Sequence, residues 1–375
     1  MKFTEIRFQP AKSRIFLGTP SMVRASDGAL IASHDYFGQL EDLDTGLTEI
    51  YRSEDDGRTW VNIFHMLGAH FGSLFTVGDA IYSVACYAHG VGYDSSSGRR
   101  IVIRRSDDGG YTWTKPFDRF SGVLFPEDLW DLSGLVKVEG GRVWRSAERW
   151  SNPRWGRFRT SVISAPLDSD LLDARSWTIS NFLDFDLEKI RRARPELIQG
   201  DPVHFTWLEG TVVENPEGIG YNCMMRFNVA KPNLAAKIGV SPDGREITFD
   251  PATDIVDFVG GGSRFKINRD PRDGSYWCIS NPLPDAQHLD ARNILTLSRS
   301  TDLVHWEARA TLIADDSGLP LEESYRLIGF QYADWFIEGE DILCALRVAY
   351  DGADTYHNSN RITFHRFRNF RTMHD

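Results

Sequence analysis

The chain has 375 residues, two to three times a common domain of about 150, so it holds two domains or one large repetitive one. Hydrophobic residues make up 41% and charged residues 25%, an ordinary globular composition that excludes a disordered or fibrous chain. Against 42 Lys and Arg stand 53 Asp and Glu, a formal net charge of −11, and a field of that sign repels a phosphate backbone and argues against general nucleic-acid binding.

The start, MKFTEIRFQPAKSRIF, has no continuous apolar stretch of the signal-peptide kind, and no apolar run of ~18 residues occurs anywhere. The expectation is a protein without a membrane span, cytoplasmic as written; a secreted or periplasmic protein whose leader had been removed would read the same. The four cysteines, Cys86, Cys223, Cys278 and Cys344, are far apart with no CxxC pair, which argues against zinc, thioredoxin-like chemistry and a disulfide framework.

Along the chain, six turn dipeptides each divide two strand-like apolar runs: Asp27-Gly28, Gly78-Asp79, Gly140-Gly141, Glu217-Gly218, Asp273-Gly274 and Gly339-Glu340. Each reads as a hairpin. Their spacings of 51, 62, 77, 56 and 66 residues suit four-stranded propeller blades with variable loops, longer than the ~40–45 residues of the WD type. All four cysteines fall in the run after a turn, where buried core thiols are expected.

A second repeat runs in phase with the first. Ser53 to Trp60 and Ser106 to Trp113 share the pattern S-x-D-x-G-x-T-W, and weaker copies begin at Ser241 and Ser300. The Asp accepts turn amides, the Gly takes a left-handed conformation, and the Trp anchors the turn between third and fourth strands. The expected fold is therefore all-β, one propeller domain over residues 1–375 with six four-stranded antiparallel blades. The N-terminal run TEIRFQ supplies the fourth strand of the last blade and so closes the ring. The irregular stretches 179–203 and 309–325 leave room for a seventh blade, and LEKIRRARPELI (187–198) has helical spacing.

In such blades the first strand begins, and the second ends, at one face. Second strands here end in His34-Asp35-Tyr36, Glu148-Arg149, Met225-Arg226, Asn281 and Arg347. These are either solvated strand ends or a charged mouth; several arginines on so acidic a chain suit a carboxylate ligand, which guanidinium binds bidentately. Trp150, beside Arg149, suits stacking on a sugar face. His357, with Asn358 and Asn360, lies in the loop after the last such strand and suits sugar hydroxyls. No regular calcium or zinc spacing appears, so no metal or cofactor is assigned.

The octets are the Asp-box of the sialidase-like β-propellers, which the chain resembles. LEGTVVENPEGIGYNCMMRFN (208–228) resembles the sialidase segment with a catalytic glutamate and a carboxylate-binding arginine, which places those roles at Glu209 and Arg226. Arg292, in SNPLPDAQHLDARNILTLSRSTD, matches a second clamp arginine, and Tyr332, in GFQYADWFIEGEDI, takes the place of the nucleophilic tyrosine that the glutamate activates. Two features depart from sialidases. Phe16 to Ser21, where the first clamp arginine belongs, contains no arginine, and the first blade's second strand ends in SHDYFG.

That SHDYFG end, GFQYADW and HNSNRITFHRFRNFR (357–371) resemble a narrower group of propellers that remove rhamnose capping glucuronate, some by hydrolysis and some by β-elimination. Lyase members carry a histidine in the first strand of the third blade, where this chain has Trp130. The resemblance implies a glycoside hydrolase acting on the end of an acidic, uronate-containing glycan, with lyase, sialidase and non-catalytic glycan-binding alternatives. His34 and Asp35 are the expected acid/base; for elimination His34, His204, His357 or Tyr332 could take the C5 proton. Arg149 and Arg347 are candidates to replace the missing clamp arginine.

Overall fold

The computed structural model describes residues 3–38, 46–87, 100–125, 134–150 (of Trp150, the backbone), 158–199 and 205–374. Three of the residues singled out above, Trp130, His204 and the Trp150 side chain, lie outside the described residues.

Six antiparallel sheets arranged in a ring form a six-bladed β-propeller. Each of the six turn dipeptides joins the first and second strands of a blade, as the patterning predicts. Blade one runs from Ile15–Leu17 and Ser21–Arg24 through Leu30–Gly38 and Leu47–Ser53 to Val61–Leu67. The first strands of blades two, four, five and six are Ala69–Val77, Thr206–Glu214, Lys266–Arg269 and Gly329–Glu338. First strands of neighbouring blades touch round the axis, so whatever leaves their starting ends gathers at a common hub. The stretches 179–203 and 309–325 hold short strands and the helices Leu187–Ala193 and Leu321–Leu327; the described residues contain no seventh sheet.

Ring closure uses the N-terminal strand. Thr4–Phe8 pairs antiparallel with Arg361–Phe367 as the outermost strand of blade six, covering an edge that would otherwise expose unpaired amides. Between blades the cores are aromatic: Trp144, Trp207 and Phe227 fill one seam, Trp277, Phe330 and Trp335 another. Cys86, Cys223, Cys278 and Cys344 are all buried in second strands and form no disulfide among the described residues.

The octets have the expected geometry. Asp55 accepts from Thr59 N at 2.8 Å and Thr59 Oγ1 at 2.7 Å, Ser53 Oγ accepts from Gly57 N, and Trp60 Nε1 donates to Gly57 O at 3.2 Å. Asp108, Ser106 and Trp113 repeat this bond for bond, with Trp113 Nε1 to Gly110 O at 2.9 Å. The worn copies keep the Ser–Asp pair, and Trp306 Nε1 still reaches Leu303 O at 3.3 Å. The Thr59 hydroxyl and amide hold the Asp55 carboxyl down to about 2.

Two outcomes follow. Deleting Thr4–Phe8 uncovers the Arg361–Phe367 edge and is expected to convert a monodisperse peak in size-exclusion chromatography into aggregate, with loss of cooperative thermal unfolding. Because the folded-state pKa of Asp55 is depressed, its stabilising contribution is complete above pH ~4 and disappears as pH falls toward 2. Asp55→Asn is therefore expected to flatten the acid limb of Tm against pH and leave Tm at neutral pH lower than wild type.

Candidate functional site

The site is made by bulges. In blade four, Leu208 pairs with Arg226 but Thr211 with Met224, so one extra residue is inserted and Glu209 takes φ +59°. Blade six repeats this between Gln331 and Asp334, with Tyr332 at φ +59°. Blade two repeats it between His70 and Ser73, with Phe71 at φ +54°. The left-handed region costs a residue with a Cβ about 1 kcal/mol. Each bulged residue is followed by a small one, Gly72, Gly210 or Ala333, and a Cβ at Gly210 would press on Cys223 Sγ and Met225 Sδ.

A carboxylate at the end of the preceding blade's second strand pins the bulges of blades two and four, and Asn281 of blade five holds the strand of blade six just before its bulge. Asp35 accepts from Phe71 N at 2.9 Å, Glu148 accepts from Glu209 N at 3.1 Å, and Asn281 donates to Phe330 O at 2.7 Å. Blades two, four and six thus carry the bulges, and blades one, three and five the pins.

Glu209 and Tyr332 meet at the hub, where Tyr332 Oη donates to Glu209 Oε1 at 2.6 Å. Arg226 Nη1 donates to Glu209 Oε2 at 2.9 Å, and Arg226 Nε donates to Asn228 Oδ1 at 3.2 Å. Burial raises the Tyr332 phenol pKa, the Glu209 charge adds to the rise, and Arg226 and Arg347 oppose it. The resting pair is a neutral phenol hydrogen-bonded to a carboxylate, one proton transfer away from tyrosinate.

Three further guanidiniums surround this pair. Arg264 stands 4.7 Å from the Tyr332 ring centroid and donates to Tyr332 O at 2.7 Å; Arg347 stands 4.9 Å from that centroid and 4.6 Å from that of Phe37. Arg347 Nε is bonded to Ser359 Oγ at 3.1 Å. Arg292 donates to Ala291 O at 2.7 Å and Gly262 O at 2.8 Å. Burial lowers the pKa of all three, that of Arg292 to about 10. Among the described residues neither Arg292 nor Arg347 is in an ion pair, and among these residues no group of three His, Cys, Asp or Glu side chains is placed to hold a metal ion.

The structure therefore brings Glu209, Arg226 and Tyr332 into direct contact and sets Arg292 and Arg347 around them. It does not bring His34 there. Side chains alternate along a strand, so with Asp35 turned to the hub His34 turns away. It is fully buried, stacked on Tyr51 with centroids 5.5 Å apart, and its Nε2 lies 3.5 Å from Glu49 Oε2. Asp35 reaches the hub as a brace, its two oxygens accepting from the backbone amides of Thr19 and Phe71.

Within Phe16 to Ser21, where the clamp arginine was expected, position 18 has no room for a side chain, because a Cβ at Gly18 would overlap the Asp35 carboxylate. Arg264 reaches this place from blade five, with Nη2 3.4 Å from Pro20 O. Arg149 is paired with Arg159 on the adjacent strand, and among the described residues it makes no hydrogen bond to the Glu209–Tyr332 pair. Asn358 is tied to Asp354 at 3.4 Å and Asn360 to Tyr350 O at 2.9 Å, which makes both loop braces. His357 lies at the mouth, its ring edge-on to Phe37 at 5.1 Å and its carbonyl accepting from Arg347. Desolvation, then the Arg347 charge, lowers its pKa to about 4.

Sequence reasoning missed Arg264, Asp290 and Phe71. Arg264 lies in GGGSRF, two residues before blade five's first strand, so the phase argument applied to the starts of first strands rather than the ends of second ones would have found it. Asp290, an exposed carboxyl, interacts with Arg226, Arg292 and Tyr356. With Arg226 and Phe205 it borders a cavity of about 300 Å³.

The chain has the sialidase-like β-propeller fold. No protein-family model matches the sequence, and no curated protein matches it. Its structure is similar to a Hadza microbial sialidase (TM-score 0.63, 15% identity, 97% of this chain and 68% of that one). It is also similar to a Penicillium chrysogenum alpha-L-arabinanase solved with arabinobiose (TM-score 0.58, 13%, 99% and 98%) and to a Trypanosoma rangeli sialidase solved with the inhibitor DANA (TM-score 0.60, 13%, 94% and 55%). At these identities the likeness is one of fold. No helix among the described residues is long and apolar enough to cross a membrane.

Glu209 is 3% exposed, so removing its cation leaves a buried charge uncompensated. Arg226→Met is expected to destabilise the protein by about 3 kcal/mol in denaturant titration, and Glu209→Gln, which keeps hydrogen-bonding atoms, by less. In an NMR titration the His357 imidazole is expected to stay neutral from pH 8 down to about 5 and to take its proton near pH 4. Arg347→Met should move that midpoint upward.

Proposed function

We propose that the protein is a glycoside hydrolase that cleaves a terminal sugar from an acidic, uronate-containing glycan, rhamnosyl-glucuronate being the preferred substrate. The observation that carries this reading is the buried Tyr332–Glu209–Arg226 contact in a hub bordered by Arg347 and Arg292. The fold shared with an arabinanase and with sialidases supports it.

In the proposed reaction Glu209 takes the phenolic proton as Tyr332 Oη attacks the anomeric carbon. The glycosidic bond to the leaving oxygen breaks, and that oxygen takes a proton from Asp290, the exposed carboxyl beside Arg226. Water, activated by Asp290, then attacks the sugar–tyrosyl bond, and Tyr332 leaves and recovers its proton from Glu209. A phenol nucleophile, uncharged until its proton leaves, approaches an anionic substrate without the repulsion a carboxylate nucleophile would meet. Arg347 and Arg292 hold the uronate, their lowered pKa values reflecting burial that an anion would offset.

The test is a panel of rhamnosyl-glucuronate, sialyllactose and arabinobiose, assayed for new reducing ends and for the ultraviolet absorbance of an unsaturated uronate. Reducing ends without that absorbance are expected from rhamnosyl-glucuronate, with kcat falling about a thousandfold in Tyr332→Phe and in Glu209→Gln. Absorbance without dependence on Tyr332 would replace hydrolysis by elimination. Release from sialyllactose or arabinobiose alone would displace the uronate.

A further inference from the structure

The three bulges are equivalent by construction, yet only two carry the chemistry proposed above. Phe71 has the same inserted residue, the same left-handed backbone and a small successor in Gly72 as Glu209 and Tyr332 have, and its amide, like that of Glu209, is held by a carboxylate of the preceding blade. Its carbonyl is held as well, accepting from Arg145 Nη2 at 2.8 Å. Alternate blades of a six-membered ring stand a third of a turn apart, and Asp35, which takes the Phe71 amide, also acts electrostatically on Arg264 and Arg347 beside Tyr332.

Asp35 and Arg145 hold the strained backbone of Phe71 by its amide and its carbonyl, and its ring meets that of His70 with centroids 6.0 Å apart. Its ring is half-buried and, among the described residues, joins none of the apolar clusters that fill the seams, although Ala69 and Leu74 on the same strand do. A phenylalanine in left-handed conformation, left partly open beside a charged site, has the marks of a residue kept for contact with a ligand.

We infer that Phe71 is a binding platform that stacks on the C–H face of the sugar ring attacked by Tyr332. The inference rests on the glycan reading above and deepens it. The chemistry of the side chains divides the work: Tyr332 and Glu209 address the anomeric carbon, the arginines the anionic group, and the ring of Phe71 the apolar face. An apolar face suits a deoxy sugar better than a fully hydroxylated one, so the platform favours a 6-deoxyhexose over its hydroxylated counterpart.

The test uses the full chain carrying Tyr332→Phe, so that bound glycan stays intact, with rhamnosyl-glucuronate and mannosyl-glucuronate as calorimetric probes. Phe71→Ala is expected to weaken rhamnosyl-glucuronate about tenfold, and Phe71→Trp to keep its Kd within about threefold. The preference over mannosyl-glucuronate should shrink in Phe71→Ala. Phe71→Gly should bind as weakly as Phe71→Ala yet melt at higher temperature, because glycine accepts the left-handed backbone and alanine does not. In the chain with Tyr332 intact, Phe71→Ala should raise KM with kcat little changed. Unchanged Kd in Phe71→Ala, with Tyr332→Phe still abolishing turnover, would overturn the platform and leave the hydrolase standing. Failure of rhamnosyl-glucuronate to bind the Tyr332→Phe chain with Phe71 intact overturns both.

Discussion

The Glu209 carboxylate is the interaction on which the hub depends. One oxygen takes the phenol of Tyr332 and the other the guanidinium of Arg226, and the residue is almost completely buried. A carboxylate in that position is tolerable only because both oxygens are hydrogen-bonded and one partner is a cation. The same pairing fixes the chemistry available. With Arg226 attached, Glu209 faces a neutral phenol, and with burial raising the phenol's pKa the proton stays on the tyrosine oxygen. Stability and reactivity are thus set by one contact made between blades four and six.

The backbone shows how that contact is kept in register. A bulge inserts one residue, turns it into the hub and leaves it strained, which a mobile loop would relax. Here the strain is trapped by pins from the neighbouring blade, so the alignment of Glu209 against Tyr332 is held by rigid strands. The alternation of pinning and bulged blades also bears on the start of blade one, which holds no arginine. Position 18 there lies against a pinning carboxylate, Asp35, with no room beyond glycine, and cations come from blades five and six as Arg264 and Arg347.

The fold was largely legible because its signals are local. A turn dipeptide needs two flanking apolar runs, and an S-x-D-x-G-x-T-W octet closes its hydrogen bonds within eight residues, so both are readable without knowing what lies across the ring. The Glu209–Arg226–Tyr332 contact was legible through resemblance, since 123 residues separate Glu209 from Tyr332 and spacing alone could not join them. His34 shows where strand-end reading fails. Locating the end of a strand does not say which of two adjacent side chains faces inward, and one step of the pleat assigns the hub to Asp35 and a buried contact with Tyr51 and Glu49 to His34. Phe71 went unread because a phenylalanine between two hairpins looks like core; only its positive φ and the equivalence of three bulges distinguish it. The signal was present as the recurring pair of a large residue and a small one, Phe71-Gly72, Glu209-Gly210 and Tyr332-Ala333, at the same phase of alternate blades.

The charge distribution bears on the choice of ligand independently of the nucleophile. The chain as a whole is acidic, so a general electrostatic attraction would recruit cations rather than a polyanionic glycan. The hub inverts that sign over a few ångströms, where guanidiniums from blades four, five and six crowd a single carboxylate–phenol pair. Such a site gains little from long-range steering and much from short-range geometry, because buried guanidiniums recover their lost hydration only when a carboxylate approaches closely enough to bond. Under the function proposed above, selection at this hub rests on fit, and the end of an acidic chain, with one anionic group beside one neutral sugar, suits it better than a uniformly charged polymer.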